Sequence, residues 1–144
     1  MGLHFCEGEV IPKDLTPYWT EVNDEYRQIT DAKLEYRCLR WLLEHIIDSG
    51  YSKALFPRTS LFDLLVSLPV DGKVDHARTL HIAYDEIGRL VSMQLKTWPD
   101  TDLLPEKIGK NSQWSTSCQP SEVIATFEHF LDQHSDWSHV ARQT

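Results

Sequence analysis

The chain has 144 residues and a mass of 16.7 kDa, with 41% hydrophobic and 25% charged residues, a formal net charge of −8 and a pI near 5.2. This composition suits one folded domain with its own core and excludes a largely disordered chain. The acidity and the lack of any Lys or Arg run exclude a nucleic-acid binder, because phosphate contacts need a basic surface, and the apolar runs LFDLLVSL and WLLEHII fall far short of the roughly 20 residues a membrane helix requires.

The whole chain, residues 1–144, is expected to form a single α+β domain: an N-terminal helical region, an antiparallel sheet of three to five strands built on a central hairpin, and a C-terminal helix packed on that sheet. Residues 1–16 read as an irregular lead-in. MGLHFCEGEV carries no secretory pattern, and Cys6 stands where a myristoylation motif prefers Ser or Thr, so a cytoplasmic location is expected. From Tyr18 to Ser49 the apolar positions Val22, Tyr26, Ile29, Ala32, Tyr36, Leu39, Leu43 and Ile46 recur every three or four residues, which predicts helix. Thr30 and Asp31, both good capping types, mark a break, and Gly50 ends the region.

The stretch TSLFDLLVSLP fits either a short capped helix or a buried strand; its brevity, the closing Pro69 and the hairpin that follows favour the strand. RTLHIAYDEIGRLVSMQL is a hairpin. A loop over residues 85–88 sets Tyr84 against Arg89, Ile82 against Val91 and Leu80 against Met93, with the apolar residues on one face. The other face carries His81, Ser92, Thr79 and Gln94. Gly88 is expected to supply the left-handed turn residue. PDTDLLPEKIGKNS reads as a loop and QWSTS as a further strand. Pro120 then opens a helix whose stripe is Val123, Phe127 and Phe130, joined by Ile124 and Leu131.

No motif for a catalytic site emerges. Asp85 and Glu86 could work as an acid and base pair only in a shared cleft, and at a hairpin tip they read as turn chemistry. His129, His134 and His139 are spaced by five residues, which on a helix points imidazoles apart, so neither a metal site nor a cofactor is expected. Cys38 reads as a core thiol. Cys118 precedes a helix start, a place that can lower a thiol pKa, but an ordinary strand-end residue is the simpler account. The tryptophans Trp19, Trp98, Trp114 and Trp137 lie at element ends and suit either interface anchors or the edge of a core.

The order of parts, with HIAYDEIGRLVSMQL, then QWSTS, then QPSEVIATFEHFLDQHSDWSHV, resembles the small immunity proteins of bacterial polymorphic and contact-dependent toxin systems. The likeness is greatest to those that protect against deaminase and nuclease toxins. It covers about residues 60–140 and includes a D-x-x-G-x-L turn, here Asp85, Gly88 and Leu90, and a terminal helix ending near a tryptophan, here Trp137. The resemblance implies a protein that is not an enzyme and that binds the catalytic domain of a cognate toxin, as a monomer or homodimer. Charge and exposure nominate Asp71, Asp75, Asp85, Glu86, Asp100 and Asp102 as contacts to such a partner, gathered at one end of the sheet. The alternative is a small enzyme or regulatory module with a pocket near the sheet, lined by His81, Tyr84 and Cys118.

Overall fold

The computed structural model describes residues 8–73, 75, 77–97 and 112–142, and everything below concerns these. The fold is α+β: N-terminal helices, a five-stranded antiparallel sheet and C-terminal helices. Helix α1 spans Thr16–Ala32 and α2 spans Arg37–Asp48, with a 3-10 turn at Leu34–Tyr36; the break thus falls after Thr30 and Asp31, which stay inside α1, the Thr30 hydroxyl donating to the Arg27 carbonyl at 2.9 Å. Gly50 takes φ +86, the left-handed geometry of a helix stop. No helix of the described residues is long and apolar enough to cross a membrane.

The strands form a meander in the order β1 (Phe56–Ser60), β2 (Asp63–Ser67), β3 (Arg78–Asp85), β4 (Leu90–Thr97) and β5 (Ser112–Cys118). TSLFDLLVSLP does contain a strand, but it also contains the end of another. Thr59 and Ser60 close β1, Leu61 and Phe62 make a two-residue turn, and β2 begins at Asp63. Strand β1 escapes a sequence reading because FPRTS has Pro57 in it, which an edge strand tolerates.

The β3–β4 hairpin keeps the expected faces and not the expected register. Tyr84 pairs with Val91, Ile82 with Met93 and Leu80 with Leu95, so every partner lies two residues further along and the loop moves by one, to residues 86–89. Alternation repeats every two residues and cannot tell these registers apart; the turn decides. The Arg89 N–H donates to the Asp85 carbonyl at 2.7 Å, and Arg89, not Gly88, adopts a left-handed φ of +57. Gly88 suits the turn for another reason: a Cβ there would lie 2.6 Å from Asp85 Oδ2, and the Asp85 side chain would have to shift.

One sheet face, with Leu64, Val66, Leu80, Ile82, Tyr84, Val91, Met93 and Leu95, is buried under the helices. Trp19, Val22, Tyr26, Leu39, Leu42, Leu43 and Ile46 meet it from α1 and α2, while Ala32 turns out to solvent. The C-terminal helix is two helices: α3 (Val123–Gln133) and α4 (Ser135–Ala141), joined at the extended residue His134. A capping box between Gln119 and Glu122 starts this region. Val123, Phe127, Phe130 and Leu131 go into the core, as does Trp137, whose ring meets Phe130 edge to face at 5.1 Å. Trp19 and Trp137 are thus core residues rather than interface anchors. Polar ties hold the layers together. The Trp19 indole N–H donates to the Leu55 carbonyl at 2.8 Å, Arg78 pairs with Asp136, and Glu128 accepts from His45, Tyr51 and Arg142 at 2.8, 3.0 and 2.8 Å.

Candidate functional site

The meander brings the β1–β2 turn, the β3–β4 turn and the exit of β5 to one end of the sheet. The joint between α1 and α2 closes on the same end. The Tyr26 hydroxyl donates to the Phe62 carbonyl at 2.8 Å, and the Phe62 ring packs edge to face on Tyr36 with 5.4 Å between centroids. Tyr36 also meets Tyr84 at 5.2 Å, and Lys33 Nζ lies 5.7 Å from the Phe62 ring centre.

Glu86 completes the joint. Lys33 Nζ and the Tyr36 hydroxyl each donate to its carboxylate at 2.9 Å. Those two hydrogen bonds hold the Glu86 carboxyl below its usual range, while burial pushes the Tyr36 phenol up. Asp85 has a different duty: its Oδ1 accepts the Ile87 N–H at 3.0 Å and shapes the turn. The adjacent acids therefore do not act as a pair, in keeping with turn chemistry over catalysis.

Bracing of this kind leaves apolar side chains standing out at the tips. Leu61 is 93% exposed, Ile87 96% and Leu34 60%. Leu61 also holds φ +55, a conformation that favours Gly or Asn. Beside this end opens a cleft of about 340 Å³ whose walls include Glu35, Arg37, Trp41, Tyr84 and Pro120. Trp41 is 41% exposed, with the Arg37 guanidinium 5.8 Å from its ring centre.

The acids nominated from sequence do not share one end. Asp85 and Glu86 lie at the tip end. Asp71 and Asp75 lie in the β2–β3 connection, at the far end of β3, a strand of eight residues and hence roughly 25 Å away at about 3.3 Å per residue. Asp71 takes a left-handed φ of +53, and Asp75 Oδ1 accepts the Ala77 N–H at 2.7 Å. Asp100 and Asp102 fall outside the described residues, as does Trp98.

The pocket of His81, Tyr84 and Cys118 does not form. Tyr84 and Cys118 both align with Val91 on the helix-facing side, whereas His81 lies on the other face. There His81 Nε2 meets Asp63 Oδ2 at 2.8 Å and Lys96 Nζ meets Nδ1 at 3.2 Å. An ammonium can only donate, so Nδ1 accepts and the Nε2–H donates to Asp63. Burial pushes the Cys118 thiol up rather than down, and the Cys38 thiol up to about 11. His134 Nδ1 is 2.8 Å from the Phe130 carbonyl; among the described residues, no three His, Cys, Asp or Glu side chains are grouped to hold a metal.

Sequence reasoning missed Lys33, Leu34, Tyr36, Trp41, Leu61, Phe62 and Ile87. A usable signal existed for Ile87, an aliphatic residue in the middle of an otherwise polar turn. None existed for Leu61, which reads as part of an apolar run until the turn is known. In comparisons with known proteins, no family model, curated protein or solved structure matches this chain.

Proposed function

We propose that this protein is a protein inhibitor of the immunity class its sequence resembles, one that holds the catalytic domain of a cognate basic nuclease or deaminase toxin against the hairpin-tip end of its sheet, in the cytoplasm of the cell it protects. The observation that carries the reading is the pair of aliphatic apices, Leu61 and Ile87, almost wholly exposed on two braced turns. Neither side chain contributes burial to folding, and Leu61 sits in a conformation that costs energy. Apolar groups projecting from rigid turns fit the centre of a protein interface, where ordering costs have been met in advance.

Charge fits the same partner. Asp85 and Glu86 stand next to Ile87, with Glu86 paired to Lys33, and the net charge of −8 steers a basic domain toward the chain. Asp71 and Asp75, at the other end, act only through that long-range field.

The test is co-expression with the toxic domain encoded beside this gene, followed by affinity measurement on the purified pair. Neutralisation and a stable complex are expected, and a Leu61→Asp, Ile87→Asp double variant loses at least about a hundredfold in affinity, as for two central contacts of an interface. Asp71→Asn with Asp75→Asn changes affinity less than about tenfold. Toxicity undiminished by the parent chain sinks the immunity reading; full protection by the double variant places the interface elsewhere.

A further inference from the structure

The two edges of the sheet are built differently. Edge strand β1 carries Pro57, which has no N–H to offer, and the charged Arg58, both devices that discourage pairing with another chain. Edge strand β5, SQWSTSC, carries neither a charge nor a proline in seven residues, in a chain where 25% are charged. Its one irregularity is a bulge: Leu95 pairs with Trp114 and Lys96 with Ser112, leaving Gln113 as the extra residue. Residues 114–118 beyond it continue in even register with β4, so their outer edge offers a row of backbone donors and acceptors with no strand among the described residues to take them.

A groove of about 450 Å³ runs between this edge and α3, with walls that include Trp114, Thr116, Ala125, Thr126 and His129. Trp114 is fixed in it, its indole N–H donating to Gln133 Oε1 at 2.8 Å and its ring packed 5.0 Å from Phe130.

We infer that a second copy of this chain occupies the β5 edge, the two β5 strands pairing antiparallel about a two-fold axis at Thr116 to make one ten-stranded sheet. The segment is self-complementary about that residue. Ser115 falls opposite Ser117 of the second copy, small hydroxyls on the exposed face, and Trp114 falls opposite Cys118 on the helix side. Charge distinguishes a copy from a basic partner strand. A basic strand would be matched by acids along the edge, but β5 carries none, and the one acid among the groove's walls, Glu122, already accepts the Gln119 N–H. An uncharged seam is what two chains of net charge −8 need in order to meet. Five residues of strand bury less than the roughly 1,200 Å² of a stable dimer, so α3 and its copy must close over the groove, and affinity falls in the micromolar range. The two-fold axis sends the tips of the two copies to opposite ends, leaving both free.

Sedimentation of the full chain, without any partner, from low to high micromolar concentration tests this. The expected result is a concentration-dependent shift to twice 16.7 kDa. Ser115→Lys with Ser117→Lys, both at exposed positions, weakens the dimer at least tenfold with an unchanged unfolding midpoint. A chain that stays monomeric throughout overturns the inference, as does a dimer indifferent to these variants. A monomer whose edge variants weaken only toxin binding overturns it in favour of a partner's strand. Because the dimer is measured alone, its failure is separable from failure of the inhibitor reading.

Discussion

Replacing Leu61 with Asn is expected to make the protein more stable and less able to bind. The side chain is 93% exposed, so the burial given up is roughly a tenth of the 1.5–3 kcal/mol of a fully buried leucine, about 0.2 kcal/mol. Against that, a leucine at φ +55 carries a conformational cost of about 1–2 kcal/mol, much of which Asn avoids by hydrogen bonding locally. The net is a stabilisation of about 0.5–1 kcal/mol, a rise in melting temperature of roughly 2–4 °C for each kcal/mol in a domain of this size. Urea unfolding followed by tryptophan fluorescence reads it directly, since Trp19 and Trp137 are fully buried. Equal or lower stability in Leu61→Asn shows that the leucine serves folding and is not held exposed for a binding surface at the tips.

Three further outcomes follow from the packing. Partial burial pushes the Glu128 carboxyl up, but hydrogen bonds from His45, Arg142 and Tyr51 together outweigh it and hold it below its usual range. That stability is present above the unfolded value of about 4.3 and is lost as pH falls through the lower folded value, so Glu128→Gln costs about 1–2 kcal/mol at neutral pH and progressively less in acid; a penalty independent of pH contradicts this. Gly88→Ala drives a methyl onto the Asp85 carboxylate and breaks its bond to the Ile87 N–H, costing about 1 kcal/mol in thermal denaturation, unlike a harmless surface change. Peptide mapping after alkylation at neutral pH should show Cys38 and Cys118 reacting more slowly than in the unfolded chain, because burial raises both thiols; rapid labelling of native Cys118 argues for a reactive site after all.

Much of this fold was legible in residue periodicity. The stripe from Val22 to Ile46 apart from the exposed Ala32, a helix break shortly after Thr30 and Asp31, the stop at Gly50 and the faces of the hairpin are local facts of helical and strand geometry, and they hold. The hairpin register was not legible, because a shift of two residues preserves every face, and the left-handed Arg89 that selects it follows from the turn as a whole. Nor was β1, whose short proline-bearing segment takes its meaning from β2 beside it.

The candidate surface divides in the same way. The turn at Asp85 and Glu86 and the acidity of the chain come from the sequence by itself, since local backbone chemistry and charge need no third dimension. Which residues stand beside that turn was decided by tertiary structure. Lys33 and Tyr36 reach Glu86 across 53 and 50 positions, Phe62 is locked by Tyr26 across 36, and the length of β3 puts Asp71 and Asp75 at the opposite end from Glu86. Contacts between residues so far apart are set by how helices cross a sheet, and no local pattern encodes them.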